Sequence, residues 1–153
     1  KKTEWLPGAR ELLETLASAT PVPLAPSAPL AIVTGSWMTY VDAIDSRLGV
    51  KKYFDVFVTV DDMGKFRKPH PHGLLLACDR LGVKPEDCLY IGDQRFDAEA
   101  SAAAGMDCLL VKGTWSPEDL ACPPKSADGR RRGKSPCIAC LPAEALSTIT
   151  EYL

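Results

Sequence analysis

Apolar residues fall along this chain in two rhythms that alternate. Short unbroken runs, Leu30 to Val33, Asp55 to Val60, Cys88 to Ile91 and Cys108 to Val111, show no polar alternation, as expected of parallel strands covered on both faces. Between them apolar residues recur at helical spacing. Leu12, Leu13, Leu16 and Ala17 share one face, and Met38, Val41, Ile44 and Leu48 share another before Gly49 ends the run. Further helices are predicted over Gly73 to Leu81 and Asp97 to Ala104. The stretch from Thr20 to Pro29 contains four prolines, and with so many N–H donors missing it is a loop. Alternating strands and helices with few hairpin signals predict an α/β fold built on a doubly wound parallel sheet.

One strand end stands out chemically. Tyr90-Ile91-Gly92-Asp93-Gln94-Arg95-Phe96-Asp97 leads from a buried strand through a glycine turn to two carboxylates. Open α/β sheets build their sites at the carboxyl ends of their strands. If Asp97 opens the next helix, its carboxylate converges with that of Asp93, and such a pair suits a hard cation such as Mg²⁺. On the residues alone an equal alternative stands: Asp93 as a turn residue and Asp97 as a helix N-cap. Upstream, Leu30 to Val33 runs into Thr34-Gly35-Ser36, and Arg67-Lys68-Pro69-His70-Pro71 precedes a helix.

A strand ending in a hydroxyl, a Lys-Pro before a helix and a strand ending in GDxxxD, in that order, resemble the haloacid dehalogenase superfamily. Leu6-Pro7-Gly8-Ala9-Arg10-Glu11-Leu12-Leu13 is similar to the helix with which that family re-enters its core after an inserted cap. Tyr53 to Thr59 and Ala98 to Met106 fit the same layout, so the resemblance covers about residues 6 to 115. It implies a Rossmann-like core and a set of roles. Thr34 and Gly35 bind phosphate, by a hydroxyl and by close backbone approach. Lys68 neutralises nucleophile and phosphoryl charge, chosen over Lys65 and Arg67 because the family's lysine directly precedes proline. Asp93 is a metal ligand for Mg²⁺, and Asp97 completes the metal motif by orienting a metal-bound water or by holding Lys68. Ser36 caps the helix that starts near Trp37, while His70 and His72 line the lysine loop. The metal-binding acid pair favours a Mg²⁺-dependent phosphatase over a dehalogenase. A phosphomutase would share these residues. The phosphoglycolate-phosphatase-like subfamily is the nearest resemblance, with a small phosphorylated metabolite as substrate.

The family's first motif, a strand ending in Asp-x-Asp that carries the nucleophile, has no counterpart in this chain. Asp42-Ala43-Ile44-Asp45 falls in a predicted helix, and Asp61-Asp62 follows a later strand. The expectation is therefore that residues 1–153 form the C-terminal part of a core domain whose first central strand, nucleophile and cap lie in a preceding segment. The sheet would then have a gap between the strands leading to Thr34 and Asp93, unless those strands close up and pair. The competing reading is a noncatalytic relative that binds a phosphorylated ligand or a protein partner.

Composition adds limits. The 153 residues suffice for one core, and 46% apolar with 25% charged residues is ordinary for a soluble globular protein. A net charge of -2 gives no electrostatic argument for nucleic acid or a membrane surface, and no apolar run is long enough to span a bilayer. Of six cysteines, Cys78, Cys88 and Cys108 read as small buried hydrophobes in a reducing, cytoplasmic setting. Cys137-Ile138-Ala139-Cys140 has CxxC spacing, with Cys122 as a third thiol, but reads as a short strand with incidental cysteines. Residues 116–135, including Pro123-Pro124-Lys125 and Gly129 to Lys134, read as a flexible basic insertion loop, followed by a closing helix with Leu146, Ile149 and Leu153 on one face.

Overall fold

The computed structural model of the chain describes residues 3–17, 29–111 and 138–140. The basic segment 116–135, Cys122, Cys137, most of the proline-rich loop and the expected closing helix lie outside the described residues. In chain order the elements are α1 (Ala9–Ala17), β1 (Ala31–Val33), α2 (Met38–Leu48), β2 (Val56–Val58), α3 (Val60–Met63), α4 (His72–Leu81), β3 (Leu89–Gly92), α5 (Arg95–Ala104), β4 (Asp107–Val111) and β5 (Ile138–Cys140). All recorded strand pairings are parallel, which makes this the expected α/β architecture.

The strands form two sheets rather than one, β1-β2 and β3-β4-β5. Ala31 pairs with Val56 in the first, and Tyr90 with Cys108 in the second. β1 and β3 do not pair with each other, so the expected gap is present. Side chains bridge it instead. Leu74 and Cys78 of α4 form one buried cluster with Ala100 of α5 and Met106, and Val33 of β1 and Tyr90 of β3 both pack against it.

The second sheet shows why its strands read as unbroken apolar runs. Successive side chains point to opposite faces. Tyr90, Cys108 and Leu110 pack with Ala98 of α5, whereas Leu89, Ile91, Leu109 and Val111 pack with Leu12 and Leu16 of α1. Both faces are covered, and a polar residue on either would lose its water. In the first sheet Ala31, Val33, Val56 and Val58 face α3 and α4 through Met63, Leu76 and Ala77. Leu12 is buried as expected on α1, but Ala17 is exposed at the helix end.

Two local expectations are corrected. The run Asp55 to Val60 is a strand over Val56–Val58 only, because Thr59 turns the chain into α3. The Asp62 carboxylate accepts the Thr59 N–H at 2.8 Å, a hydrogen bond across the first turn that sets the helix start. Ser36 does not cap α2; Trp37 occupies that position, and the Met38 N–H donates to Asp61 Oδ2 at 3.0 Å, so the cap comes from α3. Gly49 does end α2, in the left-handed conformation, with its N–H on Asp45 O at 2.7 Å.

Gly73 allows the closest packing of α4. A Cβ there would lie 2.5 Å from Met63 Sδ and 2.9 Å from Val33 Cγ1. Of the three expected small hydrophobes, Cys78 and Cys108 are buried and Cys88 is half-buried. The Cys78 and Cys88 sulfurs are 3.7 Å apart, and burial pushes the Cys78 thiol up to about 12. No described helix is long and apolar enough to cross a membrane.

Two stability outcomes follow from these contacts. Gly73→Ala should lower unfolding stability by about 1–3 kcal/mol through overpacking, read from a urea midpoint; an unchanged midpoint would mean α4 is not pressed on β1. Asp62 bonds Arg80 Nη2 at 2.5 Å, and that bond, with the Thr59 amide, holds its carboxyl below the ordinary value. A carboxyl lowered on folding contributes stability above its unfolded pKa and loses it as pH falls through the folded one. Asp62→Asn should therefore be less stable than the parent at neutral pH, with the difference shrinking below roughly pH 4. A difference independent of pH would reject the ionic contribution.

Candidate active site

β3 delivers the chain to Gly92, and α5 starts at Arg95, so Asp97 is the third residue of its helix rather than the N-cap. From there its carboxylate folds back over the strand end. Oδ2 accepts the N–H groups of Asp93 and Gln94, each at 3.0 Å, where the helix start leaves donors without backbone partners. Oδ1 accepts from Lys68 Nζ at 2.5 Å and from the Tyr90 hydroxyl at 3.1 Å. Asp97 is only 3% exposed, and these four bonds, with the positive end of α5, hold its charge out of water.

Gly92 makes this return possible. A Cβ at that position would lie 2.4 Å from Asp97 Cβ and 2.6 Å from its Cγ. The glycine of the Gly-Asp pair is thus required by the second acid of the pattern, not the first.

Lys68 reaches the same point from the loop between α3 and α4. Its Nζ donates to Asp97 Oδ1 and, at 3.0 Å, to the Tyr90 hydroxyl. Burial pulls the ammonium pKa down, but Tyr90 and Asp97 outweigh it and the net shift is upward. The Tyr90 phenol is pushed up to about 12, chiefly by burial, so it is neutral at physiological pH. A buried pair of this kind adds little net stability, because desolvation offsets attraction, yet removing one partner typically costs about 3–5 kcal/mol.

The neighbouring cations are engaged elsewhere. Arg67 Nη1 donates to the carbonyls of Gly64 and Phe66, both at 2.6 Å, and Lys65 Nζ stands 5.6 Å from the centre of the Phe66 ring. His70 and His72 both pack on the same ring, with centroids 4.3 and 4.8 Å away, His70 from the loop and His72 from the first position of α4.

Of the other expected site residues, Thr34 follows β1 directly. Its N–H donates to Val58 O at 2.9 Å, and its Oγ1 accepts the Ser36 N–H at 3.1 Å. Gly35 is exposed, and a Cβ there would meet open space. Asp93 is exposed, and among the described residues none hydrogen-bonds its carboxylate. The structure therefore joins Lys68 to Asp97 and leaves the side chains of Thr34 and Asp93 unbonded to either. Among the described residues no three His, Cys, Asp or Glu side chains are placed to share a cation. For Mg²⁺ the fit is partial: Asp93 offers hard oxygens that no described residue bonds, whereas both Asp97 oxygens are taken by protein donors.

Tyr90 was not among the residues singled out by sequence. Its signal was a hydroxyl within an otherwise apolar strand, seven positions before its acceptor.

Residues 2–105 match a family model described as haloacid dehalogenase-like hydrolase. The chain is 39% identical over 84 residues to fructose-1-phosphate phosphatase YqaB of Escherichia coli (strain K12), covering 55% of this chain and 44% of the relative. It is 40% identical over 77 residues to phosphoglycolate phosphatase of the same organism, covering 50% and 30%. The chain thus spans less than half the length of these curated relatives. A solved structure from Thermotoga maritima, proposed to be a β-phosphoglucomutase, superposes with a TM-score of 0.75 at 29% identity, over 97% of this chain and 61% of that one.

The Gly92 contact gives a direct check. Gly92→Ala should displace Asp97, cost about 1–3 kcal/mol by overpacking alone, and expose the amides of Asp93 and Gln94 to faster hydrogen exchange. Unchanged exchange at both amides would show that Asp97 does not depend on the glycine.

Proposed function

The chain belongs to the haloacid dehalogenase-like hydrolase family, and we propose that its parent protein is a Mg²⁺-dependent phosphate-monoester hydrolase acting on a small phosphorylated metabolite. The observation that carries this reading is the buried Asp97 holding Lys68 Nζ at 2.5 Å beside the exposed carboxylate of Asp93, which no described residue bonds. An ammonium whose pKa is raised, fixed at a strand end next to an exposed carboxylate that no described residue bonds, suits an anionic phosphoryl group and a divalent cation.

On this reading an aspartate outside these 153 residues attacks phosphorus, the ester oxygen leaves, and water then hydrolyses the aspartyl phosphate. Lys68 stabilises the charge that grows on the phosphoryl oxygens. Thr34 accepts the Ser36 N–H at its oxygen and so retains its own proton for a phosphoryl oxygen, while the open space at Gly35 lets the backbone approach. Asp93 is the residue that would hold Mg²⁺. Asp97 acts one step behind, fixing Lys68 and the Asp93 amide. When bound, the cation offsets the repulsion between a carboxylate nucleophile and a phosphate dianion.

The names of the relatives, fructose-1-phosphate phosphatase and phosphoglycolate phosphatase, support small phosphorylated metabolites as the substrate class. A cytoplasmic location is part of the same proposal.

In the intact parent protein, Asp93→Asn should lower Mg²⁺-dependent hydrolysis of a phosphate monoester by at least about 100-fold while leaving the fold unchanged. Full activity in that variant would remove Asp93 as the metal ligand. A parent protein that binds phosphate but turns over no ester with any divalent cation would establish a binding domain in place of the enzyme.

A further inference from the structure

We infer that Tyr90 is a positioning residue for Lys68: its hydroxyl fixes the direction in which the lysine presents its remaining proton to a bound phosphoryl oxygen. The phosphoryl target rests on the function proposed above; the positioning itself rests on geometry alone.

Packing does not require the hydroxyl. The Tyr90 ring is held between Ala98, Cys108 and Leu110 and against the cluster around Leu74, where a phenyl ring would fill the same space. The oxygen instead closes a ring of three contacts. It accepts from Lys68 Nζ at 3.0 Å, it donates to Asp97 Oδ1 at 3.1 Å, and Lys68 Nζ donates to that same Oδ1 at 2.5 Å.

An ammonium has three N–H groups in tetrahedral array. With Asp97 alone, the group turns freely about its carbon–nitrogen bond around a single anchor. With Tyr90 as a second anchor, two protons are committed and the third has one direction left. The two anchors also differ electrically. Asp97 opposes the lysine charge, whereas the neutral phenol holds the ammonium without cancelling it. Because Tyr90 donates to the oxygen that grips Lys68, it also weakens that grip and leaves more of the positive charge for an incoming anion.

The test uses Tyr90→Phe in the intact protein, with two readouts. Nitrogen NMR of the lysine ammonium groups should show a Lys68 signal protected from water exchange in the parent and lost or broadened in the variant. A Lys68 signal already in fast exchange in the parent, or an unchanged one in Tyr90→Phe, would overturn the inference. The second readout is inorganic phosphate affinity by calorimetry, in a cycle with Lys68→Met. Tyr90→Phe should weaken phosphate binding about tenfold when Lys68 is present and leave it unchanged when Lys68 is Met. An equal loss in both backgrounds would mean that Tyr90 acts through the fold and not through Lys68, and would also overturn it. If the parent binds no phosphate, the proposed function fails, while the NMR readout still decides whether Tyr90 positions Lys68.

Discussion

The Asp97 carboxylate is the constraint on which the described structure turns. It is buried, charged and bonded to four donors from three parts of the chain: the turn after β3, the β3 strand itself and the lysine loop. Lys68 belongs to the segment leading into α4, which packs on β1 and β2, whereas Asp97 belongs to α5, which packs on β3 and β4. The ion pair therefore ties together the two halves that the backbone leaves as separate sheets. Gly92 must lack a side chain because of where this one carboxylate lies, and the Tyr90 hydroxyl donates to the same Asp97 oxygen that holds Lys68.

The two acids of the Gly-Asp-x-x-x-Asp pattern look alike in sequence and differ in every physical respect in the fold. Asp93 is exposed and no described residue bonds its carboxylate, whereas both Asp97 oxygens accept hydrogen bonds. A cation ligand needs the first condition, and an orienting base for a lysine needs the second. The difference between them thus comes from burial, which four residues of chain are enough to change once a helix begins between them.

Much of this was legible in the residues. Unbroken apolar runs marked β1, β3 and β4, for β3 and β4 because both faces of each strand are covered, and Lys68 was separable from Lys65 and Arg67 by its proline. The pairing of Lys68 with Asp97 was among the two roles expected for that acid. What escaped was the consequence of contacts between distant segments. Val60 continues an apolar run and so reads as strand, yet Asp62 turns it into α3. Ser36 has the right chemistry to cap α2, but Asp61, on another helix, reaches the Met38 amide. Tyr90 reads as one more apolar strand residue, since nothing in its neighbours reveals that its oxygen meets Lys68 and Asp97. The approach of Cys78 to Cys88 is of the same kind.

The division of the strands into two sheets also bears on how the molecule loses its structure. A continuous sheet transmits disruption from strand to strand through its hydrogen-bond ladder. Here the ladder is interrupted between β1 and β3, and cooperation between the halves passes through side chains, among them the cluster of Leu74, Cys78, Ala100 and Met106, the contact of Lys68 with Asp97, and the Tyr53 hydroxyl on Glu14 of α1. Such contacts are short-ranged, and each half keeps its own backbone network when they part. The chain by itself therefore has two natural units of local opening, and a single melting temperature would average over them.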